Sequence, residues 1–246
     1  MLYDRYYYSV LPEKGKEAYR ILYDGIVNFK KSIYVPNKLF CDNNFGIVIE
    51  SIAMDNPHIY YVDFSCYKYA EMPNDTEFIF TYWYSPAEVA VLNVKMQSAL
   101  NKMLKRVTGS SESEKEKSVH DLLVGNVAYN ENAVSSLHKH SPRSNTLLGV
   151  LFYKTAVCEG IAKTTKMLLN MLDIKCIVAT GMANNSRGNG PHAWNIVKVD
   201  GKIYHLDVTW DIGLSAPNRI SYEYYNLKDK QIYKDHSSNN VYPKTQ

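Results

Sequence analysis

Between His192 and Trp210 the chain carries two alternating apolar runs around the dipeptide Asp200-Gly201. Asp-Gly in that position signals a two-residue type I′ hairpin, because both turn positions require positive φ. The turn sets the register: Val199 faces Lys202, Val197 faces Tyr204 and Trp194 faces Asp207. His192 then faces Thr209 and lies diagonal to Asp207 on the same side of the ribbon. Diagonal neighbours are roughly 7–8 Å apart at the backbone, a gap that an imidazole and a carboxylate can close. A slip of one residue would place the two on opposite faces. The other face gathers Val199, Val197, Ala193, Leu206 and Val208 and reads as core.

A cysteine stands upstream at a third informative place. In Ala156-Val157-Cys158-Glu159-Gly160 an apolar run turns into a helical pattern, with Ala162, Thr165, Leu169 and Leu172 at helical intervals beyond it. Cys158 therefore falls at a helix N-terminus, where unpaired N–H groups and the macrodipole favour an anion. Helix N-termini and a neighbouring imidazolium are also the settings that turn thiols into thiolates. Cys158, His192 and Asp207 thus have the order and element types of a nucleophile, its base and the group that orients the base. Singly, each has a plainer reading: a small buried hydrophobe, a polar strand residue, a carboxylate closing a turn.

These motif words resemble the transglutaminase-like superfamily, in particular bacterial members with a papain-like core. The resemblance rests on Ala156 to Gly160, on His192-Ala193-Trp194-Asn195, and on His205-Leu206-Asp207-Val208-Thr209-Trp210-Asp211. Val119 to Val124 through Tyr129 resembles the helix before such a core, Tyr222 through His236 its closing segment, and Tyr6-Tyr7-Tyr8 its lead-in. It implies an α+β fold, a helix bearing the cysteine packed on an antiparallel sheet bearing the histidine and aspartate, preceded by an N-terminal α+β extension. It also implies a Cys-His-Asp triad and thiol acyl chemistry on amides. Departures fall outside the triad: Ile161 stands where an aromatic is common, Leu148 where a Tyr often is, Tyr153-Lys154 replaces a small turn pair, and Asp173 replaces a Gly.

The expected function is a cysteine-dependent protease, amidase or protein transglutaminase that forms a thioester on Cys158. Water as acceptor gives hydrolysis and an amine gives crosslinking. The partner is a protein or peptide substrate, and no metal or organic cofactor is needed. The alternative is a module that keeps the fold without catalysis and holds a peptide or cell-wall partner. The tetrahedral intermediate needs an oxyanion hole. The N–H of Cys158 is the first donor, and Tyr153 and Trp194 are candidates for the second or for the substrate groove, Trp194 alternatively shielding the triad from water.

Composition excludes other classes. Charges nearly balance, 28 basic against 25 acidic, so nothing points to nucleic acid. The basic stretch Lys102 to Arg106 lies on an amphipathic helix and reads as a solvated face. No apolar run reaches the 18 or so residues of a membrane span. The opening Met1 to Tyr6 has no apolar stretch of a signal peptide, so the chain as written reads as cytoplasmic, or as exported if a leader was trimmed. Four scattered cysteines make no disulfide scaffold: Cys176 reads as inert core, and Cys41 with Cys66 as a pair only in an oxidising compartment.

Along the chain, Pro12 to Phe29 reads as an amphipathic helix, and 32 to 80 as short strand-like pieces such as Ile47-Val48-Ile49 and Tyr60 to Phe64. Ser85, Pro86 and Glu88 open a helix to about Val107, and Ser111 with Glu114 opens the next. The break at Thr108 to Ser111 divides an N-terminal α+β region, 1–107, from the core, 108–246. Asn130 to Asn145 reads as exposed loop, Leu147 to Tyr153 as a buried run, and Asn184 to Pro191 as either a groove wall or a plain strand connection. His138 and His140 with His120 make a weak metal candidate that no CxxC or HExxH supports. His205 reads as a supporting or core residue and His236 as structural.

Overall fold

The computed structural model describes residues 5–40, 45–135, 141–185, 188–238 and 240–245. Contacts divide the chain into two compact units, 5–94 and 95–246, with the division at Val94 inside a helix. The break at Thr108 to Ser111 instead falls at the connection after that helix.

The first unit holds α1 (Tyr6–Val10), α2 (Glu13–Val27), β1 (Ile33–Pro36), α3 (Phe45–Asp55), β2 (Val62–Glu71), β3 (Asp75–Tyr82) and the start of α4 (Pro86–Leu104). Its sheet is antiparallel, in the order β1-β3-β2. Ala18, Leu22 and Ile26 of α2 are fully buried, the face that the apolar spacing predicts. Ile47-Val48-Ile49 is not a strand. It belongs to α3, where Val48, Ile49, Ile52 and Ala53 are buried at helical intervals. Three β-branched residues in a row mimic a strand, but burial against the unit's core outweighs their small helix penalty.

The second unit continues with α5 (Glu112–Val124), β4 (Ala128–Tyr129), α6 (Glu131–Ser135), α7 (Pro142–Asn145), β5 (Thr155–Ala156) and α8 (Cys158–Met171). It ends with β6 (Lys175–Asn185), β7 (Gly188–Val199), β8 (Lys202–Leu206), α9 (Val208–Leu214), α10 (Asp229–Ile232) and β9 (His236–Ser237). The main sheet is antiparallel, in the order β8-β7-β6-β9, and β4 pairs with β5 in parallel. Both expected capping patterns form: Ser111 with Glu114 on α5, and Ser85 with Glu88 on α4.

The hairpin has the register that its turn dictates. Val199 pairs with Lys202 and Val197 with Tyr204, and Asp200 and Gly201 sit at φ 48° and 79°. Two expectations beyond it change. Strand β7 begins at Gly188, so His192 lies within it, and the described residues 184–185 and 188–191 are strand, paired as far as Asn185 with Gly188. Strand β8 stops at Leu206, so Trp194–Asp207 and His192–Thr209 are not strand pairs. Asp207 is instead the N-cap of α9, accepting the Trp210 N–H at 3.1 Å. An Asp followed by another acid, Asp211, in the first turn favours a helix start over a continued ladder.

Helix α8 packs on β6 and β7 and is buried almost all round from Gly160 to Leu169. Asn195 ties helix to sheet: its buried amide donates to the Ala162 carbonyl at 3.0 Å and the Ile177 carbonyl at 3.1 Å. Gly160 is required by close approach, since a Cβ there would lie 2.6 Å from the Ser144 carbonyl. Lys154 and Asp173, at φ 57° and 62°, occupy left-handed positions on either side of α8, the places where the family resemblance expects small residues or Gly.

Candidate active site

By strand alternation His192 and Trp194 of β7, His205 of β8 and His236 of β9 share one face of the main sheet. Nε2 of His192 lies 2.7 Å from Oδ2 of Asp207, a fully buried carboxylate beside a ring that is 8% exposed. Cys158 lies near enough to the His192 ring to raise its pKa. Cys158 is the first residue of α8 and partly exposed, and the N-cap Val157 offers no side-chain cap to the first turn. Sulfur, imidazole and carboxylate are therefore contiguous.

The electrostatics follow from that contact. Burial pulls the His192 imidazolium down, but the charge and hydrogen bond of Asp207, with those of Cys158, outweigh it and hold the ring's pKa up at about 10. Burial raises Asp207, yet the charge and bond of His192 and those of His236 hold it well below the usual carboxylate range. The two shifts describe one interaction seen from its two partners.

The other expected residues separate. Trp194 is buried against His192, rings 6.1 Å apart and nearly parallel, and its indole N–H is donated to Nδ1 of His205 at 3.0 Å. Its one polar hydrogen therefore already has an acceptor. Tyr153 ends a π-helical turn, Gly149–Tyr153, half exposed with the Arg143 guanidinium 3.9 Å from its ring centre. His205 does not compete for Asp207, since its Nε2 is 3.0 Å from Asp229. His236, read as structural from the sequence, sits on the same carboxylate oxygen as His192, with Nε2 3.1 Å from Oδ2 of Asp207. No spacing in the sequence flags it, because 29 residues separate the two groups. The helix-capping signal at Asp207 was legible in its Asp-x-x-x-Asp spacing.

Cys176 is buried core and Cys66 is exposed. Cys41 lies outside the described residues, and so do His138 and His140. Among the described residues His192, Asp207 and His236 bring three metal-type donor atoms within 4.8 Å of one another. Both imidazoles aim at one carboxylate oxygen, the closer at 2.7 Å, whereas tetrahedral ligands around zinc sit roughly 3.3 Å apart. The set is a hydrogen-bonded array and not a ligand shell. No helix among the described residues is long and apolar enough to cross a membrane.

An α+β unit with a helix-borne cysteine beside a histidine-bearing antiparallel sheet defines the class. Residues 101–208 match the family model of the transglutaminase-like superfamily. Three solved structures are similar at low identity. One is described as a TGase, with 16% identity, 72% of this chain and 50% of that chain covered, and a TM-score of 0.41. A candidate protease from Parabacteroides distasonis has 11% identity, 59% and 35% coverage, and a TM-score of 0.36. A candidate cysteine protease from Cytophaga hutchinsonii has 13% identity, 58% and 61% coverage, and a TM-score of 0.37. The chain thus spans half or less of the first two, and less than two thirds of the third. No curated protein matches it.

Proposed function

We propose that this chain carries out thiol-dependent acyl chemistry on peptide or carboxamide bonds, with Cys158 as nucleophile, His192 as proton carrier and Asp207 as orienter. The catalytic part is 108–246, and the region to 107 is an extension. The observation that carries this reading is the His192 ring, hydrogen-bonded to Asp207 at 2.7 Å with Cys158 near enough to raise its pKa. Held up at about 10 by Asp207, the imidazole is a ready acceptor for the thiol proton, whose transfer to the ring frees the sulfur to attack.

The steps balance without a cofactor. The sulfur adds to the carbonyl carbon, and the oxyanion is met by the N–H of Cys158 at the α8 N-terminus. His192 then gives its proton to the departing amine and a thioester remains. Water or a second amine gives a proton back to His192 as it attacks the thioester, and the sulfur leaves. Asp207 keeps the imidazole in one orientation and balances its charge throughout. Trp194 keeps water from the ring's inner side, and Tyr153 is a wall of the substrate groove.

The test is iodoacetamide alkylation of the native protein from about pH 4 to about 9. Rapid labelling of Cys158 well below pH 8, slowed in His192→Ala, is the expected result. Labelling like that of an ordinary thiol, equal in both proteins, would leave a non-catalytic peptide-binding module as the better reading. Incubation of wild type and Cys158→Ala with a mixed proteome and a tagged primary amine then separates the reactions: tag incorporation means transfer, and new termini mean cleavage.

A further inference from the structure

Asp207 is held by more than the imidazole that would do the chemistry. Its Oδ2 faces Nε2 of His192 at 2.7 Å and Nε2 of His236 at 3.1 Å, while Oδ1 accepts the Trp210 N–H at 3.1 Å. On its far side His236 Nδ1 lies 2.6 Å from Oδ1 of Asp235, whose Oδ2 accepts the Tyr224 hydroxyl at 2.6 Å. His236 is buried, and Trp210 and Trp194 pack on its ring with centroids 4.5 and 5.1 Å away. Both ring nitrogens are engaged, so the ring cannot turn without breaking two hydrogen bonds.

The chain brings His236 there by a strap. Strand β9 adds only two residues to the sheet edge, pairing His236 with Ala183 and Ser237 with Met182. So short a strand needs further anchors. Asn184 N–H donates to the Asp235 carbonyl at 2.8 Å, Ser238 to the Thr180 carbonyl at 2.7 Å, and the Thr180 N–H to the Tyr242 hydroxyl at 2.8 Å. Beyond them Thr245 and Asp229 bond each other, and Asp229 also meets His205, the acceptor of the Trp194 indole. Gly181, directly opposite His192 across the ladder, makes room: a Cβ there would run into the Ser237 carbonyl and come within 3.1 Å of Trp194.

We propose that His236 is a positioning residue for the Cys158–His192–Asp207 reaction, fixing the Asp207 carboxylate and sharing the oxygen that receives His192. The inference rests on the triad reading above. Two N–H groups on one oxygen divide its negative charge, so His236 both locks the carboxylate's rotation and moderates its hold on His192. The charged or titratable groups around His192 are Cys158, Asp207 and His236, and those around His236 are Asp207, Asp235, His192 and His205, with Tyr224 behind.

The experiment compares Cys158 alkylation and its pH profile in wild type, His192→Ala, His236→Phe, His236→Gln and Asp235→Asn, with folding checked by circular dichroism. His236→Phe keeps a ring but withdraws the N–H, and His236→Gln retains a donor. The expected result is labelling about ten-fold slower in His236→Phe near neutral pH. Its alkaline limb should also move to higher pH, because Oδ2 is left to His192 alone. His236→Gln should recover most of the rate. Asp235→Asn, which leaves the ring in place, should shift the profile the same way by less, and it answers the question if His236→Phe does not fold. A folded variant with wild-type rate and profile overturns the inference, as does an equal loss in the Phe and Gln variants with an unmoved limb. The triad reading fails differently: wild type and His192→Ala would label alike, and the inference would fall with it.

Discussion

Helix α9 presents two buried aspartates one turn apart, and each gathers imidazole. Asp207 meets His192 and His236, and Asp211 meets Nε2 of His120 at 3.0 Å. The parts are nearly the same, yet the second cluster is closed. His120 has no exposure, its Nδ1 lies 3.0 Å from Asp121, and Tyr222 stacks on its ring. Asp211 also accepts from Ser221 at 2.8 Å and from the Tyr224 N–H at 3.1 Å, which joins α5, α9 and the 221–225 segment. Both nitrogens of His120 thus face carboxylates, whereas the His192 ring meets a carboxylate and a sulfur. A buried imidazole–carboxylate pair is therefore not in itself a reactive site. In the proposed reaction the third partner makes the difference.

The sharpest break of this comparison is a pair of isosteric changes. Asp207→Asn should lower turnover by roughly 10³ to 10⁴, because the amide favours the wrong imidazole tautomer. Asp211→Asn should leave the Cys158 alkylation rate of the folded protein near wild type while lowering stability by about 3 kcal/mol, measured by urea unfolding. Equal losses of reactivity in the two would erase the distinction.

Gly181→Ala probes the strap from a position outside either cluster. The added methyl meets the Ser237 carbonyl, so β9 must shift. A stability loss of about 1–3 kcal/mol is expected, with the alkylation profile moving as in His236→Phe. An unchanged profile would mean that β9 moves without carrying His236 off Asp207.

The stability profile against pH tests the open pair. His192, raised from 6.5 to about 10 in the folded chain, contributes in full below 6.5 and loses that contribution as pH climbs to about 10. Asp207, lowered from 3.8, contributes above that value and loses it as pH falls below. Thermal melts should therefore fall away on both flanks, and His192→Ala should flatten the alkaline one. A wild-type melt that stays level from about pH 6.5 to about 10 would contradict the pairing.

The smallest effect is expected at Glu116, beneath the closed cluster. Its carboxyl accepts from Tyr225 at 2.7 Å and Asn226 at 2.9 Å, and burial pushes its pKa up despite those bonds. Its Oε1 and Oδ1 of Asn226 are both buried without a partner. A raised carboxyl loses stability as pH rises from 4.5 through its folded value, so Glu116→Gln should stabilise the protein at pH 8 more than at pH 4. A melting temperature shifted equally at both would show that the group is not titrating there.

Elements governed by neighbours in the chain were legible. Asp200-Gly201 specified the hairpin register, Ser85 and Ser111 marked two helix starts, and the apolar spacing after Cys158 marked α8. Where local signals compete, the reading slipped. The β-branched run at Ile47 to Ile49 is helical because the core needs that face, and the strand toward Trp210 yields at Asp207 to a helix cap. His236 was out of reach of any such reading. Its approach to Asp207 depends on Gly181 having no side chain and on anchors as distant as Thr180 with Tyr242.

Alone, the amino-acid order determined that a cysteine heads a helix and which register the Asp200-Gly201 hairpin takes, because turn dihedrals, alternation and capping act over a few residues. Only the folded chain decided which imidazole shares which carboxylate, and that one such cluster is sealed while the other opens onto sulfur. Those outcomes depend on desolvation and on hydrogen bonds between segments far apart in the chain, where no local pattern records who the partner is.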